Sequence, residues 1–293
     1  MKLDDPLFKF HDRFFITIRE GLFSPELFSD FTQAIKSFYK YNKRSFLWRV
    51  AINPYFVVVS EIMLQQTQTL RVEEKFAAFV KKFPDFFALA QASQADVLAQ
   101  WVGLGYNRRA LALHGIARKV VYESNGTLSD DPQVLQTYKG LGPATASSIV
   151  TFAYNKPTVF IETNIRAVYL HTFFPEQESI SDTLLLPLIE VTLDRDNPRE
   201  WYYALMDYGV IIKKLYKNPS RKSKHYTKQS PFEGSDRQIR GTLIRLLSQQ
   251  KKVFCQDIYA LYKNEQERVK RIIDDLCQEQ FIEFSDDFLR LKI

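Results

Sequence analysis

A chain of 293 residues, 45% hydrophobic and 25% charged, carries too much apolar material for disorder to be its main state, and it is long enough for two domains at roughly 100–200 residues each. Forty Lys and Arg against 34 Asp and Glu leave +6, a balance that tolerates a polyanionic partner without requiring one. The start, Met1-Lys2-Leu3-Asp4-Asp5, lacks the apolar core of a secretory signal. No run approaches the ~18 apolar residues of a membrane span, and two cysteines, Cys255 and Cys277, are too few for a disulfide framework or a four-thiolate cluster. The expected compartment is intracellular and reducing, and both cysteines are expected to be buried and structural.

The pattern along the chain is helical. Val72, Phe76, Phe79, Val80 and Phe83 recur at helical spacing and stop at Pro84. Ser93 is placed to cap a helix carrying Val97, Leu98 and Trp101. Gly103-Leu104-Gly105 breaks it, and Arg108–Tyr122 resumes. Asn125-Gly126 and Asp130-Asp131-Pro132 mark a loop. Leu135–Lys139, Gly140-Leu141-Gly142 and Pro143–Tyr154 read as helix, tight turn, helix. Further helices are expected over Glu162–Phe173, Pro187–Leu193 and Glu200–Leu215. Ser230–Ser235 reads as a linker. After it come helices at Arg237–Gln249, Gln256–Tyr262 and Glu265–Gln280. Two period-two runs, Phe281–Phe284 and Phe288–Leu291, flank Ser285-Asp286-Asp287 as a β-hairpin. Three helices and a hairpin resemble a winged helix-turn-helix. Most of the 24 Phe and 15 Tyr fall on apolar helix faces and are expected in the core.

The charge is not spread evenly. Residues 231–293 hold 11 basic and 11 acidic residues, whereas Lys213–Lys228 holds seven basic and none acidic. The whole excess lies in that segment, which reads either as a solvated loop or as an interaction surface.

In the turn at 140–142, glycine permits conformations and close approach that a Cβ would block. Pro143 suits the first helical position, and the free N–H groups of that turn can receive a phosphate; taken alone, a tight turn between helices explains the same residues. Two more stretches bear on the choice: Trp48-Arg49 … Asn53-Pro54-Tyr55 … Ser60-Glu61-Ile62-Met63-Leu64-Gln65-Gln66-Thr67, and Trp101 through His114. With Gly140-Leu141-Gly142-Pro143-Ala144-Thr145-Ala146 they closely resemble the helix-hairpin-helix (HhH-GPD) DNA glycosylases of the endonuclease III superfamily, nearest to the adenine DNA glycosylases of the MutY type. The resemblance runs from about Trp48 to about Gly209.

The resemblance implies a mainly α fold: two helical subdomains with the active site in the cleft between them, here followed by a small winged-helix-like α+β domain. The expected division is a glycosylase domain over 1–230, with a six-helix part at about 54–165 and a second part from about 25–53 plus 166–230, and a tail domain over 231–293. The partner would be double-stranded DNA with a lesion or mismatch, bound by a monomer. One nucleotide would be flipped from the stack, because its reacting atoms are otherwise unreachable, and its N-glycosidic bond hydrolysed. Glu61 matches the acid that protonates the leaving base; a carboxyl among Val57, Val58, Val59, Ile62 and Leu64 can have its pKa raised enough for that task. Glu162 falls where the family has a catalytic aspartate, and Asn164 matches an asparagine that helps position water; two carboxylates with divided roles are what glycoside cleavage asks for. The alternative reading of Glu162 is an acid that complements a helix dipole. Gln65, Gln66 and Tyr106 match residues that wedge into the stack. Trp48, Arg49, Gly140, Gly142, Ala144 and Thr145 fall in the same DNA-contacting motifs, and Arg108 and Arg109 are expected to meet phosphates.

Four departures from the family stand out. Glu162 is one methylene longer than aspartate. Ala144 occupies the place of a Schiff-base lysine in bifunctional relatives and cannot form an imine, so no lyase activity is expected unless a lysine such as Lys139 substitutes. Tyr203 stands where adenine glycosylases carry a base-pocket glutamine. The segment after Gly209, which usually holds four cysteines and an iron–sulfur cluster, carries Lys213, Lys214, Lys217, Arg221, Lys222 and Lys224 instead. No cofactor is expected, and the basic segment is read as a metal-free replacement that binds phosphates. The family's C-terminal domain that recognises 8-oxoguanine is not expected here, its place being taken by the winged-helix-like tail. The expected activity is monofunctional excision, adenine opposite 8-oxoguanine or guanine first. A different base, or a non-catalytic protein that binds damaged DNA, is the alternative.

Overall fold

The computed structural model describes residues 25–292; the N-terminal residues read above for a signal lie outside them. In chain order the helices are α1 Pro25–Asn42, α2 Leu47–Val50, α3 Pro54–Leu64, α4 Thr69–Lys82, α5 Phe86–Gln91, α6 Gln94–Trp101, α7 Arg108–Ser124, α8 Pro132–Gln136, α9 Pro143–Tyr154, α10 Thr163–Phe173, α11 Asp182–Thr192, α12 Pro198–Leu215, a 3₁₀ turn Pro219–Lys222, α13 Asp236–Gln249, α14 Cys255–Leu261 and α15 Gln266–Gln278. Three short strands, β1 Val253–Phe254, β2 Ile282–Ser285 and β3 Phe288–Leu291, form one antiparallel sheet in the order β1-β3-β2.

Contacts divide the chain into two units. Among the described residues, the first comprises 25–52 with 130–136 and 141–228. Its core forms where α1, α10 and α12 present aromatic residues at helical spacing. Phe31 meets Tyr169, Phe173 and Trp201 edge-on at ring distances of 5.2–5.9 Å, and Phe38 meets Tyr208 at 4.9 Å, the tilted geometry that ring quadrupoles favour. At Gly209 a Cβ would lie 2.4 Å from the carbonyl oxygen of Asn164, so glycine is what lets α12 lie directly on the start of α10. Pro187, read as a helix start, lies inside α11.

The second unit comprises 53–129, 137–140 and 229–292. α3 is apolar all round and buries Val57, Val58, Val59, Ile62 and Met63, as a central helix must. Asn53 caps it through Phe56 N at 2.8 Å, with Pro54 in the first turn. Ser93 caps α6 as expected, accepting from Asp96 N. The tail has the winged-helix order, with β1 added between α13 and α14, and Asp286 and Asp287 turn the hairpin in the left-handed region. Cys255 is buried and Cys277 half-buried.

The units do not follow the boundaries read from the sequence. Residues 141–165 join the first unit because Phe152 of α9 stacks on Tyr203 of α12 at 4.8 Å. The tail joins residues 53–129 because α13 packs on α6, and Gln94 donates to the carbonyl of Gln280 at 2.6 Å.

Candidate active site and DNA-contact residues

In the first unit, Glu162 is the N-cap of α10 rather than a residue within it. Glutamate is an unusual cap, since shorter acids reach the first amides more directly. Here the extra methylene folds back: Oε1 accepts from Asn164 N at 2.8 Å and Ile165 N at 2.9 Å, and Oε2 accepts from Asn164 Nδ2 at 3.3 Å and Thr163 Oγ1 at 3.2 Å. Glu162 is half-buried. The longer acid therefore occupies the cap with its carboxylate held against Asn164. Lys213 Nζ donates to Asn164 Oδ1 at 2.9 Å. Burial pulls the ammonium's pKa down, the Glu162 charge pulls it up, and Arg166 adds to the depression.

Ala144 and Thr145 lie in the first turn of α9 behind Pro143, with Ala144 exposed. Gly140, at φ +96°, has Ala112 Cβ 2.7 Å from where its own Cβ would stand, and so needs to be glycine in both respects. Gly142 does not: its φ is ordinary and a Cβ there would meet nothing within 4 Å. What its bareness offers is an open approach to the amides of that turn.

Trp48, Arg49 and Tyr203 are internal. Trp48 stacks on Phe46 at 4.8 Å. Arg49 donates to both carboxylate oxygens of Asp207 at 2.9 and 3.0 Å, and its guanidinium lies 4.2 Å from the Tyr203 ring centroid. Asp207, only 2% exposed, also accepts from the backbone and side chain of Arg44. Arg49, read from its motif as a DNA-contacting residue, makes this buried pairing, and the Tyr203 ring is covered by Phe152 and Arg49. Nothing in the sequence marks Asp207 as its centre except two arginines and an acid on apolar helices.

The basic segment divides. Lys214, Lys217, Arg221 and Lys224 are exposed. Lys213 faces Asn164, and Lys222 donates to the carbonyls of Phe174 and Pro175. The segment is braced on α10 by Ser220, whose Oγ donates to Thr163 O at 3.0 Å, and by a parallel bridge between Ile180 and Ser223. It does not fit a thiolate-held cluster, since both cysteines of the chain lie in the tail.

In the second unit, Glu61 is half-buried on α3 among the buried Val57, Val58, Ile62 and Met63. Arg109 fixes this helix end. Its guanidinium donates to the carbonyls of Ile62, Met63, Gln65, Leu104 and Gly105 and to Thr67 Oγ1, at 2.5–3.1 Å, so a cation satisfies the orphan carbonyls of the last turn. Burial lowers its pKa to about 10, and the donors read from the sequence as meeting a phosphate are directed here to this internal clamp. Gln66 and Tyr106, held at φ +54° and +47°, sit in the two turns that Arg109 joins. Arg108 is exposed but paired with Glu279 at 2.7 Å, and Glu279 also binds Arg240. The Tyr106 hydroxyl accepts from Arg237 Nη1 at 2.5 Å and from Gln229. Gln65, Gln66, Tyr106, Arg237 and Asp275 line an open pocket of about 470 Å³. Arg237 is not expected from the sequence, since its helix reads only as part of a neutral tail.

A family model described as HhH-GPD superfamily base excision DNA repair protein matches residues 59–185. Adenine DNA glycosylase of Mycobacterium tuberculosis is 30% identical over 237 residues, which span 72% of this chain and 76% of that protein. The Homo sapiens adenine DNA glycosylase is 30% identical over 216 residues, 67% of this chain and 39% of the human protein. Among solved structures, a thermostable thymine-DNA glycosylase superposes with a TM-score of 0.56 at 21% identity, covering 63% of this chain and 86% of that one. A non-covalent endonuclease III–DNA complex gives 0.55 at 13% identity, covering 64% and 86%. The structures share the fold, and the mycobacterial relative shares the sequence over most of both chains: the protein belongs to the HhH-GPD superfamily of base excision DNA repair proteins, beside the adenine DNA glycosylases.

Proposed function

We propose that this base excision repair DNA glycosylase is monofunctional, works without an iron–sulfur cluster, and removes adenine mispaired with guanine or 8-oxoguanine. The observation that carries the reading is the carboxylate of Glu162 held against the amide of Asn164 at the start of α10. In the proposed reaction Glu61 protonates the base, which makes it a better leaving group. Glu162 stabilises the positive charge that develops on the sugar, and with Asn164 it directs the incoming water. Ala144 offers no amine for an imine, so the product is an intact abasic site. The exposed turn at Gly142–Thr145 supplies amides for a backbone phosphate.

A second reading, excision of a base other than adenine, is favoured by Tyr203. Its ring is enclosed by Phe152 and Arg49 and offers no amide edge to a purine.

The test is a set of duplexes, each with one modified or mispaired base, incubated with wild type, Glu61→Gln and Glu162→Gln. Wild type is expected to cut the adenine mispairs only after alkali. Loss of the general acid in Glu61→Gln should slow excision by about 10²-fold or more. Cutting without alkali would refute monofunctional action, cutting of another base would replace adenine, and no cutting at all would leave a DNA-binding protein.

A further inference from the structure

We propose that Lys213, one of the basic residues that read as phosphate ligands, is instead a positioning residue for the water-directing pair Glu162 and Asn164. The proposal rests on the glycosylase reading above. Lysine has three donors and no acceptor. Its 2.9 Å bond to Asn164 therefore decides which end of that amide is oxygen, a choice an isolated asparagine leaves open. With Oδ1 pinned toward Lys213, Nδ2 is turned toward Glu162 Oε2 at 3.3 Å. The remaining Nδ2 hydrogen and the second Oδ1 lone pair then have fixed directions, which is what orienting a water requires.

The backbone supports the same assignment. Gly209 and Lys213 are one turn apart on α12 and share a face. At Gly209 a Cβ would stand 2.8 Å from Asn164 Cβ, so the helix is pressed onto Asn164 at one position and reaches its amide from the next. Ser220 adds a third hold, on the carbonyl of the neighbouring Thr163. Lys213 is half-buried, and the charges that act on it are Glu162 and Arg166 of α10; Arg166 is itself paired with Asp182 of α11 at 2.7 Å. Lys213 is thus the cation that faces the Glu162 carboxylate from α12.

The experiment compares Lys213→Met, Lys213→Arg, Asn164→Ala and the double variant Lys213→Met/Asn164→Ala. Single-turnover excision is measured with enzyme in excess, on the duplex that wild type cuts best. Affinity is measured separately, with a 2′-fluoro sugar analogue that resists hydrolysis. Lys213→Met should lower the single-turnover rate on the order of 10²-fold while the Kd moves by less than about threefold, because a misaligned water costs rate and not binding. Lys213→Arg, which keeps donors and charge, should recover part of the rate. The double variant should be no slower than Asn164→Ala, since the two act as one unit. A Lys213→Met variant with wild-type rate overturns the proposal. So does one with unchanged rate and weakened, less salt-dependent binding, which would make Lys213 a phosphate ligand. Additive losses in the double variant also overturn it. If Lys213→Met melts below the assay temperature, Lys213→Leu, which also lacks a donor, takes its place in the same comparison. An inactive wild type refutes the glycosylase reading itself and the positioning role with it, whereas a Glu162→Gln variant as fast as wild type removes the water-directing pair and the positioning role but leaves the glycosylase reading standing.

Discussion

Asp207 shows how differently a charged residue reads in sequence and in place. It is an acid inside a run of aromatic and aliphatic residues, and the fold closes Arg44 and Arg49 around it with four of their donors within 3.0 Å. Removing the carboxylate leaves the Arg49 guanidinium, whose side chain is only 5% exposed, without a counter-ion. Asp207→Asn is therefore expected to destabilise the protein by about 3–5 kcal/mol, measured by urea unfolding; a loss below about 1 kcal/mol would mean that water reaches the site. Arg49 reads in sequence as a DNA-contacting residue and Arg109 as a phosphate contact, because arginine in or beside a DNA-binding motif invites that reading. A guanidinium's five donors suit a ring of internal acceptors equally well, and only the fold supplies the ring. The roles proposed for Glu61, Glu162 and Asn164 rest on their motif, with the pairing of Glu162 and Asn164 added by the fold. Lys213 looks like its neighbours in a basic run until the helix register turns it toward Asn164.

The elements follow their sequence signals closely where those signals are long. α4, α7, α9 and α12 carry periodic apolar stripes, and their observed spans lie within a few residues of the periodic ones. Short or interrupted elements escape the pattern: β1 has two residues, and α11 begins a turn before Pro187. The basic segment is where this matters for function. Its exposed face carries Lys214, Lys217, Arg221 and Lys224, and its inner face holds Lys213 and Lys222. Reversing these four of its five exposed charges (the fifth is Lys228) to Glu should weaken duplex binding equally for matched and mismatched DNA. It should also flatten the slope of log K against log salt by about 0.9 for each phosphate that is no longer neutralised. An unchanged slope would mean that the segment only braces α10.

For the whole molecule, the tail is the largest difference from expectation. The sequence presents it as a separate domain, and its contacts group it with the unit that carries Glu61. Arg237 and Gln229 hold the Tyr106 hydroxyl, and Glu279 holds Arg108. The helices and hairpin of the tail are readable from sequence because they are local patterns. The surface on which they dock is not, because α13 and α6 are amphipathic in ways that fit many partners. Ending the chain at Lys228 should therefore uncover the face of α6 and lower the Tm by about 5 °C or more in a thermal melt. A truncated protein that melts at the wild-type temperature would make the tail an independent module.

The way the chain visits its two units also sets a schedule for its synthesis. Residues 53–129 are made early, yet the helix that covers α6 begins only after residue 229, once the chain has left to build most of the other unit and returned. At ribosomal speeds of about 5–20 residues per second that interval is roughly 5–20 s. For that time the nascent chain carries an uncovered apolar helix face of the kind that holdase chaperones bind, and the unit that carries Glu61 is among the last parts of the protein to become complete.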